Sequence, residues 1–174
     1  MKIKNAQSAV ISNHELLLHL RAEEAEYEGT DGTGRGRPKP PGLKNMLQDT
    51  LTYLDTNTPH LPELISKHST RPMTLYKGPH SLYRALASKY RLNQAEYLQM
   101  YNLRPRNLVM LDLIIEEAGS RFTEEQQEDI LATIARVFDE EESEIPVGIE
   151  EIDMPKVPAR MKGVTRKKRG VRCR

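Results

Sequence analysis

Apolar residues recur along this chain at intervals of three and four, and nowhere do they hold the alternating spacing of a half-buried strand, so an all-α fold is expected. The first stripe is Leu16, Leu17 and Leu20, preceded by Ser12-Asn13-His14-Glu15. There a hydroxyl can cap a free amide while a carboxylate three residues on reaches back, which starts a helix predicted to run to about Tyr27. A second helix is predicted from Leu43, with Leu43, Met46, Leu47, Thr50, Leu51 and Leu54 on one side, and it stops by Pro59. Pro62 and Pro72 leave room for no more than a short helical turn over residues 63–68.

Beyond Pro79 the signals become denser. Leu82, Leu86 and Tyr90 give a helix over residues 81–90, and Asn93 with Glu96 caps another from Gln94 to about Tyr101. Pro105 suits the first turn of the next helix, where a missing amide costs nothing, and Leu108, Leu111, Ile114, Ile115 and Ala118 are its expected buried face. Thr123 and Gln126 form a further capping box ahead of Ile130, Ile134, Val137 and Phe138, the stripe of a last amphipathic helix.

Between these segments composition changes the picture. Residues 29–42 hold five of the ten glycines and three of the eleven prolines, which reads as a flexible linker. The expected organisation is an N-terminal helical region over 1–58 containing that linker, a proline-bearing connector at 59–80, a helical domain at 81–138 and a charged tail at 139–174. Net charge is +1, yet it is segregated: eight of the 25 acids and no base fall in 139–155, and nine of the 26 bases and no acid in 156–174. The body is neutral. With three prolines and little periodicity the tail is expected to be disordered in the free chain. No apolar run approaches the roughly 18 residues of a membrane span, and residues 1–5 do not open a secretory signal, so an intracellular protein without membrane contact is expected. Cys173 is the single cysteine, which excludes an intrachain disulfide and a cysteine metal cage.

Candidate chemistry is sparse. Gly32-Thr33-Gly34-Arg35-Gly36 follows a helix and leads into prolines, without the Gly-Lys-Ser/Thr ending of a phosphate loop, so it reads as linker. The five histidines (His14, His19, His60, His68 and His80) are scattered and read as surface residues in place of a metal site. Glu116-Glu117 and Glu124-Glu125 diverge by about 100° on a helix and make no acid–base pair. No catalytic residue, cofactor site or metal site is expected. Arg166, Lys167, Lys168 and Arg169 are compatible with nuclear import, with weak electrostatic contact to nucleic-acid phosphates, or with a solubilising end.

Three segments carry a resemblance: 95–105, ending in Asn102-Leu103-Arg104-Pro105; 108–117, ending in Glu116-Glu117; and Arg121-Phe122-Thr123-Glu124-Glu125-Gln126. Together they resemble the small stalk subunit of RNA polymerase III, and residues 10–17 are similar to that family's opening segment. The same corner is seen in the equivalent subunits of RNA polymerase II and of archaeal polymerase. The resemblance implies a nuclear, non-catalytic subunit with a domain similar to the helicase-and-RNase-D C-terminal type. It also implies an obligate larger OB-fold stalk partner, the polymerase III core, and contacts with initiation factors. On that basis Ile11, Leu16, Leu17, Leu20, Leu47, Leu51 and Leu54 are the expected partner-binding residues, with packing inside this chain's own core as the competing reading. The rival functions are the same role in polymerase II and a free-standing helical nucleic-acid-binding module, the latter disfavoured by the neutral body.

Overall fold

The computed structural model describes residues 11–71, 73–75, 81–151 and 153–154. Among them are eight α-helices and no strand: α1 Asn13–Glu28, α2 Pro41–Asn57, α3 His60–Lys67, α4 Leu82–Ala87, α5 Gln94–Leu103, α6 Leu108–Ile114, α7 Ala118–Arg121 and α8 Glu124–Asp139. The fold is all-α. Every helix contributes to one hydrophobic cluster that runs from Leu17 to Phe138.

Local sequence explains most of the boundaries. Ser12, Asn93 and Thr123 each accept a bond from the amide three residues on, while Glu15, Glu96 and Gln126 return one, so α1, α5 and α8 all begin with complete capping boxes. Helix α1 ends at Gly29 in the left-handed region, φ 76°, where a side chain would be strained and an added Cβ would meet the Gly36 backbone nitrogen at 2.6 Å. Pro41 stands at the first position of α2, two residues ahead of the expected start.

Helices α1 and α2 form an antiparallel hairpin. Lys39, just before α2, reaches Glu24 and Glu28 near the end of α1, whereas Arg21 pairs with Asp55 near the end of α2. The Gly/Pro-rich connection is exposed, but its second half folds back on α1. Arg37 pairs with Glu26 and lies over the Tyr27 ring, 5.1 Å from its centroid.

Two expectations fail around α6. Pro105 is buried ahead of the helix and not in its first turn; Asn107 is the cap, its Oδ1 accepting from the Met110 amide at 2.9 Å. The apolar run to Ala118 does not form one helix either. The chain leaves α6 at Ile115, passes through Glu117 in the left-handed region, φ 54°, and restarts as the single turn α7. That break turns Ile115 and Ala118, 1% and 3% exposed, into the core together.

The acidic stretch after α8 was expected to be disordered, yet its described part is packed. Short 3-10 turns at Glu142–Glu144 and Ile149–Glu151 flank the buried Ile145. Arg71 donates to the Ile145 and Pro146 carbonyls at 3.0 and 3.1 Å, Arg84 to the Ile149 carbonyl at 3.0 Å, and Lys67 to those of Phe138 and Asp139 at 3.2 Å. Arg71 of the connector and Arg84 of α4 thus hold this strap by its backbone while Lys67 of α3 caps the end of α8, and many of the strap's carboxylates, including Glu141, Glu144 and Glu151, remain in solvent.

Candidate partner-docking face

The corner after α5 does more than turn the chain. Tyr101 is fully buried; its hydroxyl lies 2.6 Å from His14 Nδ1, and its carbonyl lies 3.3 Å from His60 Nε2. Asn102 Oδ1 accepts from the Asn13 amide at 3.0 Å, satisfying one of the unpaired donors at the start of α1. Arg104, left-handed at φ 44°, reaches Asp139 Oδ1 at 2.6 Å and lies over the Phe138 ring. Three of the four side chains from Tyr101 to Arg104, all but Leu103, therefore tie α1 and α8 to this corner, and the Tyr101 carbonyl adds α3. Leu103 points outward, 55% exposed.

Arg121 plays a similar part at the other end of α5. Its guanidinium meets both oxygens of Glu96, at 2.5 and 3.3 Å, and donates to the carbonyls of Arg91 and Glu116 at 2.7 and 3.0 Å. Glu96, 3% exposed, already closes the capping box of α5, so one buried carboxylate serves two devices.

The histidines expected on the surface are largely internal. His14, His60 and His68 are buried, with His19 exposed and His80 outside the described residues. Burial favours the neutral imidazole: it holds His14 at about 4 and lowers His60 and His68. His60 packs edge-on against Phe138 and His14 stacks on Tyr101, so these rings act as core aromatics. Among the described residues no group of three metal-ligating side chains comes together, and no helix is long and apolar enough to cross a membrane.

The seven leucine and isoleucine positions expected to meet a partner divide. Leu17, Leu20, Leu47 and Leu54 are 0%, 8%, 2% and 2% exposed, because α1 and α2 turn these faces into the chain's own core. Leu16 and Leu51 are half-buried and Ile11 is exposed. Arg166, Lys167, Lys168 and Arg169 lie outside the described residues.

Other apolar groups stand free. Met46 and Tyr53, seven apart on α2, are 50% and 61% exposed; Val109 and Leu113, four apart on α6, are 71% and 82% exposed. Tyr53, Leu103, Arg106 and Met110 line one open cleft between the start of α1, the end of α2 and the corner before α6. Sequence reasoning missed this face although it left a signal. Leu108-Val109-Met110-Leu111-Asp112-Leu113-Ile114 is apolar nearly all round, a pattern that calls for cover on more than one side, and the chain covers only the Leu111 side.

A family model described as RNA polymerase Rpb4 matches residues 10–138, from the residue before Ile11 to the end of the core stripe on α8.

Proposed function

The chain belongs to the RNA polymerase Rpb4 family and is thereby a non-catalytic stalk subunit of an RNA polymerase, a premise from which we propose that it serves polymerase III as the smaller member of the stalk. Its partner in this reading is the larger, OB-fold stalk subunit. In this reading the partner covers the cleft lined by Tyr53, Leu103 and Met110 together with the exposed Val109 and Leu113 of α6, and Ile11 and the half-buried Leu16 and Leu51 add to the contact. The observation that carries the proposal is α6, whose outward side offers Val109 and Leu113 at 71% and 82% exposure on a helix with one charged residue. Exposed apolar groups set at helical spacing beside a cleft are the usual mark of a protein interface. The region from α4 to α8, similar in kind to helicase-and-RNase-D C-terminal domains, then turns its remaining surface to initiation factors at small RNA genes, within the nucleus.

The assignment to polymerase III rests on the resemblance of residues 95–105, 108–117 and 121–126. Purification of the tagged chain from its own cells tests it. Recovery of the OB-fold subunit with polymerase III-specific core subunits is expected. Polymerase II-specific subunits in their place would move the chain to that enzyme, and recovery without any OB-fold partner would overturn the docking reading.

A further inference from the structure

We propose that Arg35 is a site of arginine methylation, taking methyl groups from a sulfonium donor by way of a transferase that selects glycine-flanked arginines. The segment Gly34-Arg35-Gly36-Arg37-Pro38 lies in the exposed connection between α1 and α2, away from the docking face, and no step of the stalk reading uses it. Two arginines are present, and their surroundings differ sharply. Arg37 pairs with Glu26, rests over Tyr27 and returns its amide to the Tyr27 carbonyl at 2.7 Å, so its guanidinium is already engaged. Among the described residues the one hydrogen bond of Arg35 runs from its backbone amide to Thr33 Oγ1 at 3.4 Å, and its guanidinium is exposed at the rim of an open hollow.

The backbone around Arg35 suits a transferase cleft. To reach a buried methyl donor a guanidinium must enter a narrow channel to its full length, which brings the flanking backbone against the channel mouth; side chains on either neighbour would collide there. Gly34 and Gly36 present none. Gly34 is left-handed, φ 64°, with open space where a Cβ would stand, whereas the backbone at Gly36 lies against the Glu28 carbonyl, so the arginine is open to approach from its Gly34 side. The step is redox-neutral. A guanidinium Nη attacks the donor's methyl carbon, the sulfur–carbon bond breaks with its electron pair left on sulfur as a thioether, and the nitrogen gives its displaced proton to a carboxylate of the transferase. The product keeps its positive charge but loses hydrogen-bond donors, so methylated Arg35 can no longer grip a carboxylate or phosphate in two-pronged fashion.

The test uses the full chain, tritiated S-adenosylmethionine and a purified arginine methyltransferase directed to Gly-Arg-Gly segments, with label located by peptide mapping. Label is expected at Arg35, with loss to background in Arg35→Lys and no loss in Arg37→Lys. Glu26→Gln, which frees the neighbouring guanidinium, is expected to add label at Arg37. These exposed substitutions leave the core intact, and an unchanged thermal midpoint checks it. An unlabelled wild-type chain, undiminished label in Arg35→Lys, or equal label on both arginines of the wild type would each overturn the proposal.

Discussion

Replacing Arg121 by methionine isolates the device that joins the start of α5 to the break between α6 and α7. Methionine keeps an apolar stem beside Phe122, whose ring lies 5.1 Å from the guanidinium, and removes the charge. Glu96 is then left 3% exposed with its carboxylate facing no cation. Breaking a buried pair on one side costs about 3–5 kcal/mol. The Arg121 side chain is 21% exposed, so water relieves part of that cost and the lower end, about 3 kcal/mol, is expected. The carbonyls of Arg91 and Glu116 add little, since both residues lie at the surface and can be hydrated. Urea unfolding followed by far-ultraviolet circular dichroism measures the loss. A double-mutant cycle with Glu96→Gln apportions it: once the carboxylate is gone Arg121→Met costs less, with a coupling of about 2 kcal/mol. A loss below about 1 kcal/mol, the range of an exposed ion pair, or strict additivity would refute the reasoning.

Three further perturbations have expected outcomes of the same kind. Below its unfolded value near 6.5, His14 binds a proton in the unfolded chain while the folded chain holds it neutral down to about 4, so stability is complete above that window and falls with pH through it. Unfolding free energy should drop by about 2 kcal/mol between pH 7 and pH 5 from His14, with His60 and His68 adding in the same direction; pH-independent urea midpoints would contradict this. Gly29→Ala should cost about 1–2 kcal/mol in a thermal unfolding series, because it places a Cβ at φ 76° and 2.6 Å from the Gly36 nitrogen, whereas Gly42→Ala, with open space, should not. Ile145→Asp should expose residues 140–151 to limited proteolysis while α1 to α8 stay resistant; an unchanged cleavage pattern would mean that Arg71 and Arg84 hold the strap without its apolar anchor.

Legibility in the sequence followed the range of the interaction. The capping boxes at Ser12, Asn93 and Thr123 are local, and so the starts of α1, α5 and α8 were predicted to the residue. The break at Glu117 was not, because residues 108–118 carry a continuous apolar period and only the packing of Ile115 and Ala118 decides that the chain must turn. The strap was misread for another reason. Its anchors are the Arg71 and Arg84 side chains from the connector and α4 gripping backbone carbonyls, and a carbonyl leaves no trace in composition. The leucine stripe of α1 was read correctly as a face, but periodicity cannot say what a face meets; α2 lies against it, so Leu17 and Leu20 are core. Tyr101, Asn102 and Arg104 appeared in the sequence only as part of a resemblance, and the structure supplies their physical work in tying α1, α3 and α8 together.

The most direct test of the proposed docking is co-elution of the wild-type chain and a surface variant with the proposed partner, a co-expressed OB-fold stalk subunit, on size exclusion. Leu103→Asp combined with Leu113→Asp alters two outward side chains, 55% and 82% exposed, so the variant should unfold at the wild-type midpoint yet elute alone, while the wild type elutes as a heterodimer. A folded double variant that still co-elutes in full would contradict docking through the α6 face.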